Sequence, residues 1–116
     1  MELVALLSTG KGSWGQVAGL INRGEWEKIL LIGDDFIKKF ESEKKSEKII
    51  IDTNKRIIEL RDDLIKKLKD KIKGTEVALS IASGEGKVHM ALISALLGLP
   101  VGVRFVALTQ EGIKFL

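Results

Sequence analysis

The chain has no cysteine, one histidine and one proline among its 116 residues. Lack of cysteine excludes a disulfide scaffold, a thiolate zinc site, an iron–sulfur cluster and a cysteine nucleophile. The single histidine, His89, excludes multi-histidine metal sites. No apolar run approaches the ~18 residues of a membrane span. The opening residues, MELVALLST, lack the basic leader of a secretory signal. These absences set the expectation of a cytoplasmic protein with no membrane partner, no metal and no cofactor.

The residues present are 45% apolar and 30% charged, too apolar for a disordered chain. The length fits one domain spanning residues 1–116. The net charge of +3 is unevenly spread: residues 38–73 hold thirteen Lys/Arg and eight Asp/Glu, leaving −2 on the remainder. Both signs are interleaved within that block, the pattern of a solvated helix face rather than a nucleic-acid stripe, so no long nucleic acid is expected as a partner. Lys- and Glu-rich charge without cysteine is also the composition of many hyperthermophile proteins.

Residues 3–7 form a continuous apolar run, as in a strand buried on both faces. A glycine-rich loop, residues 8–15, follows, then a short helix over 17–22 with Gly24 as its stop. Residues 29–32 predict a second strand, and Phe36, Ile37 and Phe40 a brief helix. After a charged connection, residues 49–51 predict a third strand, and Asn54 is placed to cap a helix carrying Ile57, Leu60, Leu64, Leu68 and Ile72 as far as Gly74. Residues 77–82 predict a fourth strand and 90–97 a helix apolar enough to be buried on most sides. Residues 103–108 predict a fifth strand, and Thr109-Gln110-Glu111-Gly112 a hairpin turn into a last one over 113–116. The alternation predicts a three-layer, Rossmann-like α/β sandwich with parallel order 3-2-1-4-5 and a terminal antiparallel strand. Ligands of such sheets bind beyond the carboxyl ends of the strands at the switch point, here between strands 1 and 4.

The loops leaving those two strands are the richest in Gly, Ser and Lys. In the first, Gly10-Lys11-Gly12-Ser13-Trp14-Gly15 matches G-x-G-x-x-G, with Asp34 lying 24 residues beyond Gly10. That is the pattern of a dinucleotide-binding turn with its ribose acid, or of a simple flexible turn. In the second, Ser83-Gly84-Glu85-Gly86-Lys87 places a hydroxyl, free N–H groups and an ammonium around one point at a helix start. Such a set suits an anionic oxygen; the alternative is a polar cap with a solvated lysine. Lys87→Ala is expected to weaken anion binding while changing stability by no more than about 0.5 kcal/mol, as for a surface side chain.

With these two loops, the chain resembles the CRISPR-associated Rossmann-fold (CARF) sensor domains, which bind cyclic oligoadenylates in type III CRISPR defence. The resemblance rests on Ser8-Thr9-Gly10-Lys11-Gly12-Ser13 after strand 1, and on Ser83-Gly84-Glu85-Gly86-Lys87 followed by Met90-Ala91 after strand 4. Glu85 stands where the family has a second Gly and Gly86 where it has a second Thr; a carboxylate at 85 would repel phosphate. The resemblance implies a homodimer that encircles one cyclic ligand, paired through helix 90–97 and the final hairpin. It also implies that Lys11 and Lys87 neutralise phosphates, that Ser8, Thr9, Ser13 and Ser83 offer hydroxyls, and that Gly84 and Gly86 admit the backbone closely. Some members are ring nucleases, in which the ribose 2′-OH attacks the adjacent phosphate without a metal. For this chain that implies Lys87 as electrostatic stabiliser, with Ser8 or Ser13 positioning the ribose. Two rival readings remain: an NAD(H)- or nucleotide-binding regulatory module resting on Gly10, Gly12, Gly15 and Asp34, and a non-catalytic dimerising protein.

The other residues have plainer expectations. His89 reads as a cap or partnered side chain, and Trp14 and Trp26 as packing residues, with base stacking the alternative for Trp14. Asp34, Asp35 and Asp52 end strands, as ribose-binding acids or as turn and cap residues. Arg104, inside a strand, is expected at an edge or dimer contact.

Overall fold

A computed structural model describes residues 1–8 and 11–116, of residues 11 and 12 the backbone alone. Its elements in chain order are β1 (Glu2–Leu6), α1 (Lys11–Arg23), β2 (Lys28–Gly33), a 3-10 helix (Asp35–Lys39), β3 (Glu47–Ile50), α2 (Ile57–Leu68), β4 (Glu76–Ser80), α3 (Gly86–Leu97), β5 (Gly102–Thr109) and β6 (Gly112–Phe115). The strands form one sheet in the order β3-β2-β1-β4-β5-β6, all neighbours parallel except the terminal β5–β6 pair. This is the α/β topology read from the sequence. No described helix is long and apolar enough to cross a membrane.

Side chains alternate across a strand, so each strand feeds two cores. On one face Val4, Leu6, Leu30, Ile32, Val77 and Leu79 pack against α2 and α3. On the other, Leu3, Ala5, Leu7, Ile29 and Leu31 pack against α1, Ile37 and Phe40. Leu60, Leu64 and Leu68, four residues apart on α2, are all fully buried. That one stripe against the sheet and α3 stabilises the helix more than its propensity does.

Helix boundaries depart from expectation, each for a physical reason. α1 begins at Lys11, not near 17: Gly12 and Gly15 cost a helix about 1 kcal/mol each, but Trp14 in the same turn anchors it. The Trp14 ring meets Phe36 and Phe40 edge-on at 6.0 and 5.5 Å, and its Nε1 donates to Ser8 O at 2.6 Å. α2 is preceded by Arg56 rather than capped by Asn54, whose N–H instead donates to Asp52 Oδ1 at 3.0 Å in a turn. It ends at Leu68 rather than running to Gly74: the Lys71 N–H turns to Leu68 O, three residues back, and Lys73 and Gly74 donate to the buried Glu2 Oε1 at 2.9 and 2.6 Å. α3 starts at Gly86 and is buried on one face only, leaving Met90 61% and Leu97 72% exposed.

Candidate functional site

Parallel strands deliver their following loops to one edge of the sheet. Along that edge lies a cleft of about 440 Å³ lined by Leu6, Leu7, Ser8, Gly33, Asp34, Thr53, Asn54, Gly84, Glu85, Lys87 and Val88. Its floor is apolar, from the end of β1 and from Val88. Its polar walls come from the ends of β1, β2, β3 and β4.

The loops after β1 and β4 meet through hydroxyl groups. Ser83 Oγ, on a residue only 3% exposed, accepts from Ser8 N–H at 2.8 Å and from the Ser13 hydroxyl at 2.8 Å, and lies 2.7 Å from Ser8 Oγ. His89 Nε2 donates to Ser83 O at 2.8 Å, so this histidine is a partnered side chain that holds the loop. The chain then turns through Gly84 at φ +98°, a left-handed conformation in which any Cβ would also stand 2.6 Å from Leu6 Cδ2. Only glycine lets the turn settle over the end of β1. Glu85 caps α3 through its backbone conformation and makes no side-chain cap bond, so the first N–H groups of α3 keep their partial positive charge at the cleft wall.

Lys87 is not a solvated side chain. Its Nζ spans the cleft and donates to Thr53 O at 2.7 Å and Lys55 O at 3.1 Å, in the loop between β3 and α2. Two of its three N–H groups are thereby used, while the charge has no carboxylate partner among the described residues. Asp34 lines the same cleft, and its Oδ1 accepts from Phe36 N at 2.9 Å, capping the 3-10 helix. A second depression, about 610 Å³, continues past Asp34 along Asp35, Phe36, Asp52, Thr53 and Asn54. The walls therefore divide into a donor end (Ser8, the α3 start, Lys87) and an acceptor end (Asp34 and its neighbours). Among the described residues no group of three His, Asp or Glu is placed to hold a metal ion.

The predicted site residues separate accordingly. Ser8, Gly84, Glu85 and Lys87 line the cleft; Ser13 and Ser83 stand behind Ser8 rather than in the wall; and Gly86 opens α3. Thr9 and Gly10 lie outside the described residues, and of Lys11 and Gly12 only the backbone is described. Of the glycine fingerprint, Gly15 lies inside α1 and a Cβ there meets nothing within 4 Å, whereas a dinucleotide turn needs its third glycine for close packing. Trp14 is committed to Phe36, Phe40 and Ser8 rather than open for stacking, and Trp26 Nε1 bonds Leu20 O at 2.7 Å. Arg104 lies 4.5 Å over the Phe115 ring within the terminal hairpin. Thr53, Asn54 and the carbonyl of Lys55 escaped the sequence reading as site groups, although their place at the end of a third parallel strand was the available signal. No model of a known protein family matches the sequence, and no curated protein matches it.

Proposed function

We propose that this chain binds a cyclic oligoadenylate at a homodimer interface, in the manner of the CARF domains it resembles, and opens the ring without a metal as part of type III CRISPR defence. The observation that carries the reading is the convergence of Ser8, the α3 N-terminus and Lys87 on one cleft at the switch point between β1 and β4. Such donors favour the non-bridging oxygens of a phosphodiester, and Asp34, an acceptor at the other end, suits a ribose hydroxyl. One cleft of about 440 Å³ takes part of a tetranucleotide ring, and a two-fold partner supplies the remainder. Exposed Met90 and Leu97 on α3, with Phe105, Phe115 and Leu116 on the hairpin, support pairing through those elements.

In the proposed reaction the 2′-oxygen forms a bond to phosphorus in line with the departing 5′-oxygen. The P–O5′ bond breaks, the 2′ proton passes to solvent and the 5′-oxygen is protonated, leaving a linear product with a 2′,3′-cyclic phosphate. Lys87 would stabilise the developing charge and Ser8 would hold the phosphate in that alignment.

The test is incubation with radiolabelled cyclic tetra-adenylate in chelator, with product separation and a parallel mobility shift. The expected result is a linear fragment from the wild type and none from Lys87→Ala of confirmed fold. Binding without cleavage reduces the protein to a sensor, and no binding ends the reading. Asp34 at the cleft wall favours one rival, a nucleotide-binding regulatory module; stabilisation by NADH alone, lost in Asp34→Ala, would establish it instead.

A further inference from the structure

Three serines from three segments meet at a single oxygen. Ser8 follows β1, Ser13 lies in the first turns of α1, and Ser83 follows β4. A serine hydroxyl has one proton to give and two lone pairs to receive. Both lone pairs of Ser83 Oγ are filled, by the Ser8 N–H and by the Ser13 O–H, each at 2.8 Å. The Ser83 proton is therefore given to Ser8 Oγ at 2.7 Å. Ser8 then keeps its own proton, and Ser8 is the member of the trio that lines the cleft.

We infer that Ser13 and Ser83 are positioning residues that set the polarity of the Ser8 hydroxyl, presenting it to the cleft as a proton donor. A donor fixed in this way is matched to an oxygen without a proton, such as a non-bridging oxygen of a phosphodiester. Burial of Ser83 keeps solvent from resetting the chain of bonds, and His89 fixes the carbonyl of the same residue. The inference rests on the anion-binding reading of the cleft. It reassigns Ser13 from contact with the ribose to control of its neighbour. Without the Ser13 hydroxyl a lone pair on Ser83 falls open and the Ser8–Ser83 bond can run in either sense, the Ser83 proton turning into the space that Ser13 leaves, so the polarity of the Ser8 hydroxyl is no longer fixed while every lining side chain stays in place.

The experiment compares wild type, Ser13→Ala and Ser13→Thr by calorimetric titration with cyclic tetra-adenylate, with melting curves for each, and locates the shared deuteron in wild type by neutron diffraction. Ser13→Ala is expected to bind about tenfold more weakly, the worth of one hydrogen bond to a charged acceptor, and Ser13→Thr to restore binding. Equal affinity of wild type and Ser13→Ala overturns the relay, as does an equal loss in natively melting Ser13→Thr. If the wild type itself does not bind, the anion-binding reading fails and the neutron map judges the relay alone. A deuteron carried by Ser83 toward Ser8 upholds it, and one carried by Ser8 toward Ser83 overturns it.

Discussion

Lys87 carries two kinds of work in one side chain. Its ammonium ties the start of α3 to the loop after β3 through two carbonyls, and the same charge faces the cleft. Hydrogen bonds from a charged donor are worth about 1.5–3 kcal/mol, and less where solvent screens a half-buried charge. Lys87→Ala should therefore lower stability by about 1–2 kcal/mol in urea unfolding, more than a solvated lysine would. A loss below about 0.5 kcal/mol would mark the two bonds as incidental. The lysine was legible because an ammonium beside glycines at a helix start has few uses. Its partners were not: Thr53 and Lys55 act through main-chain carbonyls, which carry no side-chain signature, and they lie more than thirty residues away.

Elements were most legible where burial follows a simple period. The apolar run expected over residues 3–7 lies within one residue of β1, Glu2–Leu6, and Leu60, Leu64 and Leu68 share the buried stripe that their spacing predicts. Replacing Leu64, which is fully buried between α2, α3 and the sheet, by alanine should cost about 2–5 kcal/mol. Thermal unfolding would register this as a large fall in Tm; a fall of only a degree or two would show that the stripe can collapse around the gap. Helix ends were poorly legible because remote groups decide them. Trp14 extends α1 backwards through two glycines, and the Glu2 carboxylate, from the far end of the chain, takes the N–H groups of Lys73 and Gly74 and so sets how α2 gives way to β4. Neither contact leaves a mark in the local sequence.

At the scale of the molecule, the parallel order brought the loops of β1 and β4 together as the alternation of elements implied, and Ser83 bonds them directly. The opposite sheet edge is held by Glu47, whose carboxylate meets Lys71 at 2.6 Å and so clips the edge strand β3 to the segment after α2. The hydrogen bond from Lys71 holds the Glu47 carboxyl below its ordinary value of 4.5. A carboxylate with a depressed folded pKa contributes its stability above 4.5, and that contribution is lost as pH falls through the lower, folded value. The difference in Tm between wild type and Glu47→Gln should therefore be present at neutral pH and close on acidification. A difference that stays constant into acid would show that the clip does nothing for stability. Both partners are well exposed, so added salt should narrow the gap as well.

The turn after β4 has a further consequence for how freely this chain can change over generations of copying. Its two glycines stand on different ground: a methyl group at 86 meets nothing within 4 Å, whereas one at 84 collides with Leu6 in a backbone pose that L-residues shun. Drift can erase the first without a mechanical penalty. Erasing the second would force the end of β1 aside and with it the wall that Ser8 provides, so descendants that keep the cleft must keep position 84 bare.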